Sequence, residues 1–222
     1  MAIDEKEPAS RLTAKGRATR ARILDTAADL ILEHGVAGTG IEDVRKAAGV
    51  SGSQMTHYFH DKQTLVHDVI AWQAETVVDQ HRAAELDGFR TFASLRLWAD
   101  LITERQRQRH CQGGCNFGSL AGQLVESDPG TRSDLADGFE RWLALFRQGL
   151  EAMKANGDLR TDADPDALAC TLLTSMQGGM LLAQTFRDTA PLETAFTTAL
   201  ARVASFATDP AEAERTLRLG AR

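Results

Sequence analysis

Residues 40–62 read Gly40-Ile-Glu-Asp-Val-Arg-Lys-Ala-Ala-Gly49-Val-Ser51-Gly-Ser-Gln54-Met-Thr-His-Tyr58-Phe-His-Asp-Lys62, and the punctuation of this stretch decides the fold. Ile41, Val44 and Ala48 recur at helical spacing, and Gly49 stands where a helix stops. The start of this helix has two readings, Thr39 with Glu42 as a capping box or Gly40 with Asp43. Ser51 opens a second short helix with Gln54 three residues on, a further capping box, and this helix runs through Tyr58. Only Gly49-Val50 joins the two. Upstream, from about Thr19, Ile23, Leu24, Ala27, Ala28 and Ile31 mark a longer helix, with Gly35 at its C-cap position. Downstream, Asp61 caps a helix carrying Leu65, Val66, Val69, Ile70 and Trp72. A long helix followed by two short ones across a tight turn is the layout of a helix-turn-helix in a three-helix domain.

The residues of the second short helix suit the major groove. Met55 and Phe59 share a face and are expected to pack inward, leaving Gly52, Ser53, Gln54, Thr56 and His57 outward. These are small or hydrogen-bonding, and Gln54 matches an adenine edge. Lys62, in the first turn of the next helix, opposes the helix dipole at a cost on the order of a few tenths of a kcal/mol. A phosphate at that helix start would reverse the sign, whereas a solvated lysine would cost almost nothing. His57, His60 and Asp61 make an incomplete ligand set, so no metal is expected. No cofactor is expected either.

The formal net charge of −6 argues against a protein coated with base. Its distribution matters more. Arg11, Lys15, Arg17, Arg20 and Arg22 lie together with no carboxylate among them, a basic N-terminal arm placed to follow phosphates.

The rest of the chain reads as long amphipathic helices with short breaks, at about 89–109, 119–126, 131–156, 165–187 and 191–207. Cys111 to Gly118 must break helix, Asp128-Pro129-Gly130 is expected to turn, and the tail from Thr208 to fray. The fold class is all-α, an N-terminal three-helix helix-turn-helix domain (1–62) followed by a helical bundle (63–222). Met1 to Ser10 is polar and acidic, unlike a signal peptide. The most apolar segment, Leu168 to Phe186, is interrupted by Thr171, Thr174, Ser175, Gln177 and Gln184, so no membrane span is expected. Three cysteines make no disulfide framework, which suits a reducing cytoplasm.

The run from Arg20 to Trp72, with Arg-Ile-Leu-Asp-Thr-Ala-Ala, His-Gly, Ala-Gly-Val-Ser, His-Tyr-Phe, Asp-Lys and Leu-Val in order, resembles the DNA-binding domain of the TetR/AcrR family of regulators. The resemblance covers about a quarter of the chain. It implies a homodimer, usually a repressor, released from a palindromic operator on double-stranded DNA by a small molecule. Carried over, Gly52, Ser53, Gln54, Thr56, His57 and Tyr58 would face DNA, Lys62 would hold phosphate, and Thr39, Gly40 and Ser51 would complete the set at the helix starts. Two positions depart from the family pattern. Gly40 stands where a hydroxyl residue is common, which removes a phosphate contact there, and Thr56 where an aromatic is common, so base preference at Thr56 does not transfer.

In the helical remainder, Trp98, Phe117, Trp142, Phe146 and Met180 are read either as plain core or as the wall of a cavity for an apolar or aromatic inducer. Gln123, Thr174 and Gln177 would then orient it. The helix from Pro165 carries two apolar stripes, one for its own core and one for a partner. Leu172, Ser175, Gly179 and Leu182, with Phe196, Leu200 and Val203 on the final helix, are the expected dimer interface. Cys115, with Cys111 as a resolving partner, is either a small buried filler or a thiol that senses electrophiles or oxidants, activated by a nearby helix start and by Arg109 or His110. No nucleophile–base pair stands out, so an enzyme is not expected. The rival readings are an activator on the same fold and, more remotely, an all-α enzyme or ligand carrier.

Overall fold

The computed structural model describes residues 12–82 and 84–218. These form ten α-helices: α1 (Ala14–Gly38), α2 (Ile41–Ala47), α3 (Gly52–Tyr58), α4 (Lys62–His81), α5 (Phe92–Gln108), α6 (Asn116–Leu124), α7 (Pro129–Asn156), α8 (Pro165–Phe186), α9 (Ala190–Ala204) and α10 (Pro210–Arg218). A 3₁₀ turn, Ala84–Phe89, lies between α4 and α5. The helices divide into two compact units, one up to Trp72 and one from Gln73. The division falls inside α4 rather than at its start, because the first half of α4 is tied to α1. Arg20 pairs with Asp68 at 2.7 Å and the Trp72 indole donates to Asp25 at 2.7 Å.

In the first unit the chain follows its capping chemistry. Thr13 accepts the Gly16 amide at 3.1 Å, so α1 begins at Ala14 and takes Lys15 to Arg22 into a helix instead of an arm; Arg11 lies outside the described residues. Gly35, at φ 73°, kinks α1 and the helix resumes to Gly38. Of the two starts open for α2, Gly40 with Asp43 is used, the Gly40 amide donating to Asp43 Oδ2 at 3.1 Å. Thr39 turns inward, buried, its hydroxyl donating to the Gly35 carbonyl at 2.9 Å. Gly49 adopts φ +62°, the left-handed turn that only glycine takes without strain. Arg45 Nη1 then pins the turn by donating to the Val50 carbonyl at 3.1 Å.

The second unit closes on one apolar core drawn from the 3₁₀ turn, α5 and α7 to α10. Several boundaries differ from the periodicity reading, each for a capping reason. Asp128 accepts the Thr131 amide at 2.9 Å, so α7 begins at Pro129 where a turn was expected. Cys115 caps α6, which begins at Asn116. The expected fraying after Thr208 is replaced by α10: Asp209 accepts the Glu212 amide at 3.0 Å, and Ala213 and Leu217 bury against the core.

Helix α8 corrects the expected interface. Leu172, Phe196, Leu200 and Val203 have no more than 3% of their surface exposed in the single chain. They have nothing left to bury against a partner. Gly179 lets α8 approach α9 so closely that a Cβ there would stand 2.9 Å from Leu192 Cα. Both apolar stripes of α8 therefore serve the protomer over most of their length, with Ser175 half-buried in the first, and only the end of that stripe, Leu182 and Phe186, stays outward. Of the seven residues expected at the interface, Leu182 stays exposed.

Candidate functional site

α3 stands on two buried side chains, Met55 and Phe59. Arg20 lies over the Phe59 ring at 5.6 Å while pairing with Asp68, so this arginine of the basic tract fixes α3 and α4 to α1. Gly52, Ser53, Gln54, Thr56 and His57 are exposed on the free side of α3, and Tyr58 is half-buried. No atom lies within 4 Å of where a Gly52 Cβ would be, so packing does not require glycine there. Its bare backbone is open to a close outside neighbour.

The hydrogen bonds of α3 refine the roles expected of its side chains. Ser51 Oγ accepts the Gln54 amide at 3.2 Å, and Gln54 Oε1 accepts the Ser51 amide at 2.9 Å. The Gln54 side-chain oxygen is thus committed to the cap, and its NH₂ group is the part left to donate to a base. The adenine clasp, which needs both ends of the amide, is weakened as an expectation. Thr56 donates its hydroxyl to the Gly52 carbonyl at 3.1 Å and leaves its methyl outward. Lys62 Nζ reaches the Ala37 carbonyl at 3.5 Å, so a cation unfavourable at the start of α4 gains a partner at the end of α1. Thr39, buried, does not join this surface, whereas Gly40 and Ser51 remain at the helix starts.

The expected ligand residues scatter. Trp98, Phe117, Trp142, Phe146 and Met180 are buried in the core of the second unit. Trp98 meets Phe146 and Phe196 edge-on at 4.9 and 4.8 Å, and His81 meets Trp142 at 4.8 Å. Thr174 and Gln123 lie on the surface instead, Thr174 bonding back to the Cys170 carbonyl at 2.7 Å, because their helical registers turn away from the core. Gln177 donates to Cys115 Sγ at 3.4 Å. A cleft of about 410 Å³ instead opens between the end of α4, the 3₁₀ turn and α7, lined by residues that periodicity did not single out, among them His81, Arg82 and Arg90. Arg82 and Arg90 stand on either side of Gly88, a helix breaker visible along the chain, whereas nothing in the spacing marks His81.

Cys115 caps α6 by accepting the Gly118 amide at 3.3 Å. The expected activation does not follow. Burial pushes the thiol above its ordinary value, and the bonds from Gly118, Gln177 and Phe117 offset this only partly. Cys111 is buried, and its carbonyl accepts from Arg187 at 2.8 Å. Among the described residues no group of three or more His, Cys, Asp and Glu side chains is arranged to hold a metal. No described helix is long and apolar enough to cross a membrane.

A capped recognition helix on a three-helix unit, joined to a separate helical core, defines a helix-turn-helix DNA-binding regulator. Residues 23–69 match the model of bacterial regulatory proteins of the tetR family, and residues 92–199 match the tetracyclin repressor-like C-terminal domain. The chain belongs to the TetR family and is a DNA-binding transcriptional regulator, not an enzyme. It is 25% identical over 182 residues to the transcriptional repressor DhaR of Mycobacterium sp. strain GP1, covering 78% of this chain and 86% of that one. It is 28% identical over 196 residues to the repressor NemR of Escherichia coli, covering 87% and 96%. The crystal structure of reduced E. coli NemR superposes with a TM-score of 0.74 at 23% identity, covering 86% of this chain and 98% of that one, which speaks to the fold.

Proposed function

We propose that the chain is a homodimeric repressor that holds a two-fold symmetric operator and lets go when a small molecule binds its helical core. The observation that carries this reading is α3 itself: its apolar side is sunk in the first unit, and its polar side, from Gly52 to His57, has no protein cover. Gly52, Ser53, the NH₂ group of Gln54, Thr56 and His57 face base edges, Tyr58 lies at the end of the helix, and Lys62 binds phosphate. The two-fold pairing uses the outer faces of α8 and α9. Support comes from Leu181 and Leu182, 63% and 46% exposed, on the same face as exposed Thr174 and Gly178, with Thr197, Thr198 and Ala201 outward on α9. Such a regulator works in the cytoplasm, beside the chromosome.

Selection from a random double-stranded library, followed by sedimentation of the complex, tests this. Enrichment of an inverted repeat bound by two chains is expected. Recovery of a single half-site bound by one chain, or no enrichment, defeats the reading.

A second reading is favoured by Cys115, whose sulfur takes hydrogen bonds from Gly118 and Gln177 and so links α6 to α8. The similarity to a repressor crystallised in a reduced form is consistent with it. Alkylation would break both bonds and turn the cap into bulk. The raised thiol pKa weighs against fast reaction.

A further inference from the structure

His81 ends α4, where a helix dipole would favour the imidazolium. The surroundings do the reverse. The ring is buried, and Nδ1 lies 2.8 Å from the Val77 carbonyl, which can only accept. Nδ1 therefore carries the proton and Nε2 presents a lone pair. Burial, with the charge of Arg105 acting the same way, lowers the His81 pKa to about 4 and keeps the ring neutral. Nε2 has no hydrogen-bond partner among the described residues. Trp142 packs edge-on against this ring at 4.8 Å, and its buried indole N–H is also without a partner. Two rings in contact thus carry one unmet acceptor and one unmet donor, each a cost to the folded chain.

His81 also forms part of the wall of the 410 Å³ cleft, a size suited to a small molecule. Arg82, Arg90, Gln148 and Asn156 line it with Phe89 and Leu145, and no carboxylate is among the lining residues. Arg82 makes a loose, exposed pair with Asp79 at 3.6 Å. The wall is a deliberate construction. Asp87, Gly88 and Phe89 take φ values of 43°, 57° and 62° in succession. The turn they make presses on α7 so closely that a Cβ on Gly149 would stand 2.4 Å from the Gly88 carbonyl. Two non-glycine residues in the left-handed region persist only where the surroundings hold them.

We infer that this cleft seats a small organic acid bearing a hydroxyl group, with its carboxylate between Arg82 and Arg90 and its hydroxyl meeting His81 Nε2 and Trp142 Nε1. The inference rests on the reading that a small molecule controls the protein, and deepens it by naming the seat and the ligand class. Arginines give a carboxylate forked, charge-assisted bonds. A hydroxyl donates and accepts through one oxygen, which is what the paired rings lack. Phe89 and Leu145 favour an apolar or aromatic body between the two ends. Nε2 and the indole N–H are both covered in the present arrangement, and Trp142 is not itself among the lining residues, so the bonds form as the ligand parts His81 from Trp142, and indole emission reports it.

The full-length protein is titrated with 4-hydroxybenzoate, benzoate and 4-methylphenol, by calorimetry and tryptophan emission. Expected is saturable binding of 4-hydroxybenzoate about tenfold or more tighter than either analogue. Arg82→Gln and Arg90→Gln, both on exposed side chains, should weaken the two acids about tenfold and leave the phenol unchanged. His81→Phe, which keeps a ring in place, should erase the preference for the hydroxyl. Absence of saturable binding, or binding indifferent to all three substitutions, overturns the inference. The expected pattern without any loss of operator affinity upholds the cleft and defeats small-molecule release. Release by compounds indifferent to the substitutions upholds release and defeats the cleft.

Discussion

Ser51 and Gln54 hold each other at both ends, amide to side-chain oxygen at 2.9 Å one way and 3.2 Å the other. The side chain set to read a base therefore also closes the recognition helix, and substitutions there separate the two duties. Gln54→Glu keeps the accepting oxygen but replaces the outward NH₂ with charge, so melting should hold while operator affinity falls. Gln54→Ala should lower stability by about 1 kcal/mol and relax base preference. Lys62→Ala should weaken all sequences alike and flatten the salt dependence by about one unit. Equal loss of specificity from Gln54→Ala and Lys62→Ala, read by competition against random DNA, would defeat these roles.

Gly178 and Gly179 are neighbours with opposite surroundings. A Cβ on Gly178 meets nothing within 4 Å, whereas one on Gly179 meets Leu192 Cα at 2.9 Å. Gly178→Arg should give folded monomers that fail on operator DNA. Gly179→Arg should cost about 3 kcal/mol or more by overpacking, before any question of pairing arises. Sedimentation and thermal melting of both variants decide the matter. A Gly178→Arg protein that stays dimeric moves the interface elsewhere.

His81 sets an acid limit on stability. Its folded pKa is lowered to about 4 from an ordinary 6.5. Below pH 6.5 the unfolded chain takes up a proton that the folded chain refuses, so stability present above 6.5 is lost as pH falls toward 4. A difference of about 2.5 units corresponds to roughly 3 kcal/mol at full development. Denaturant midpoints from pH 7 to 4 should show this fall, and His81→Phe should remove most of it. Parallel curves for the two proteins would show that the ring titrates normally.

Cys115 should react with iodoacetamide at pH 7 more slowly than a free thiol, since burial holds it protonated. Cys115→Ser keeps a cap acceptor for Gly118 and should melt within about 0.5 kcal/mol of the parent. A reaction faster than free cysteine, with operator release that the serine variant lacks, would establish the thiol-sensing alternative.

The recognition unit was legible because its determinants are local. Ser51 and Gln54 lie three residues apart, Gly49 takes the positive φ of the turn, and Met55 and Phe59 share one helical face whatever else the chain does. The choice between Thr39 and Gly40 turned on backbone that spacing does not show: Gly35 kinks α1, and Thr39, four residues on, bonds back to its carbonyl and is buried. The missed α10 had a local signal in Asp209-Pro210, but Ala213 and Leu217 gained their reason to fold only from the core they cover.

The sequence by itself determined that the chain is all-helical, that a helix-turn-helix comes first and that α8 carries two apolar stripes. A helical repeat states which residues share a face, because the repeat is a property of the backbone. It cannot state what covers that face. Tertiary structure alone decided that α9 covers the stripe at Gly179 and leaves its end, Leu182, outward beside Leu181. It also decided that Cys115 is desolvated instead of activated, and that His81 is a neutral ring against Trp142. Burial and proton affinity depend on groups brought together from distant parts of the chain, and spacing along one helix carries no record of them.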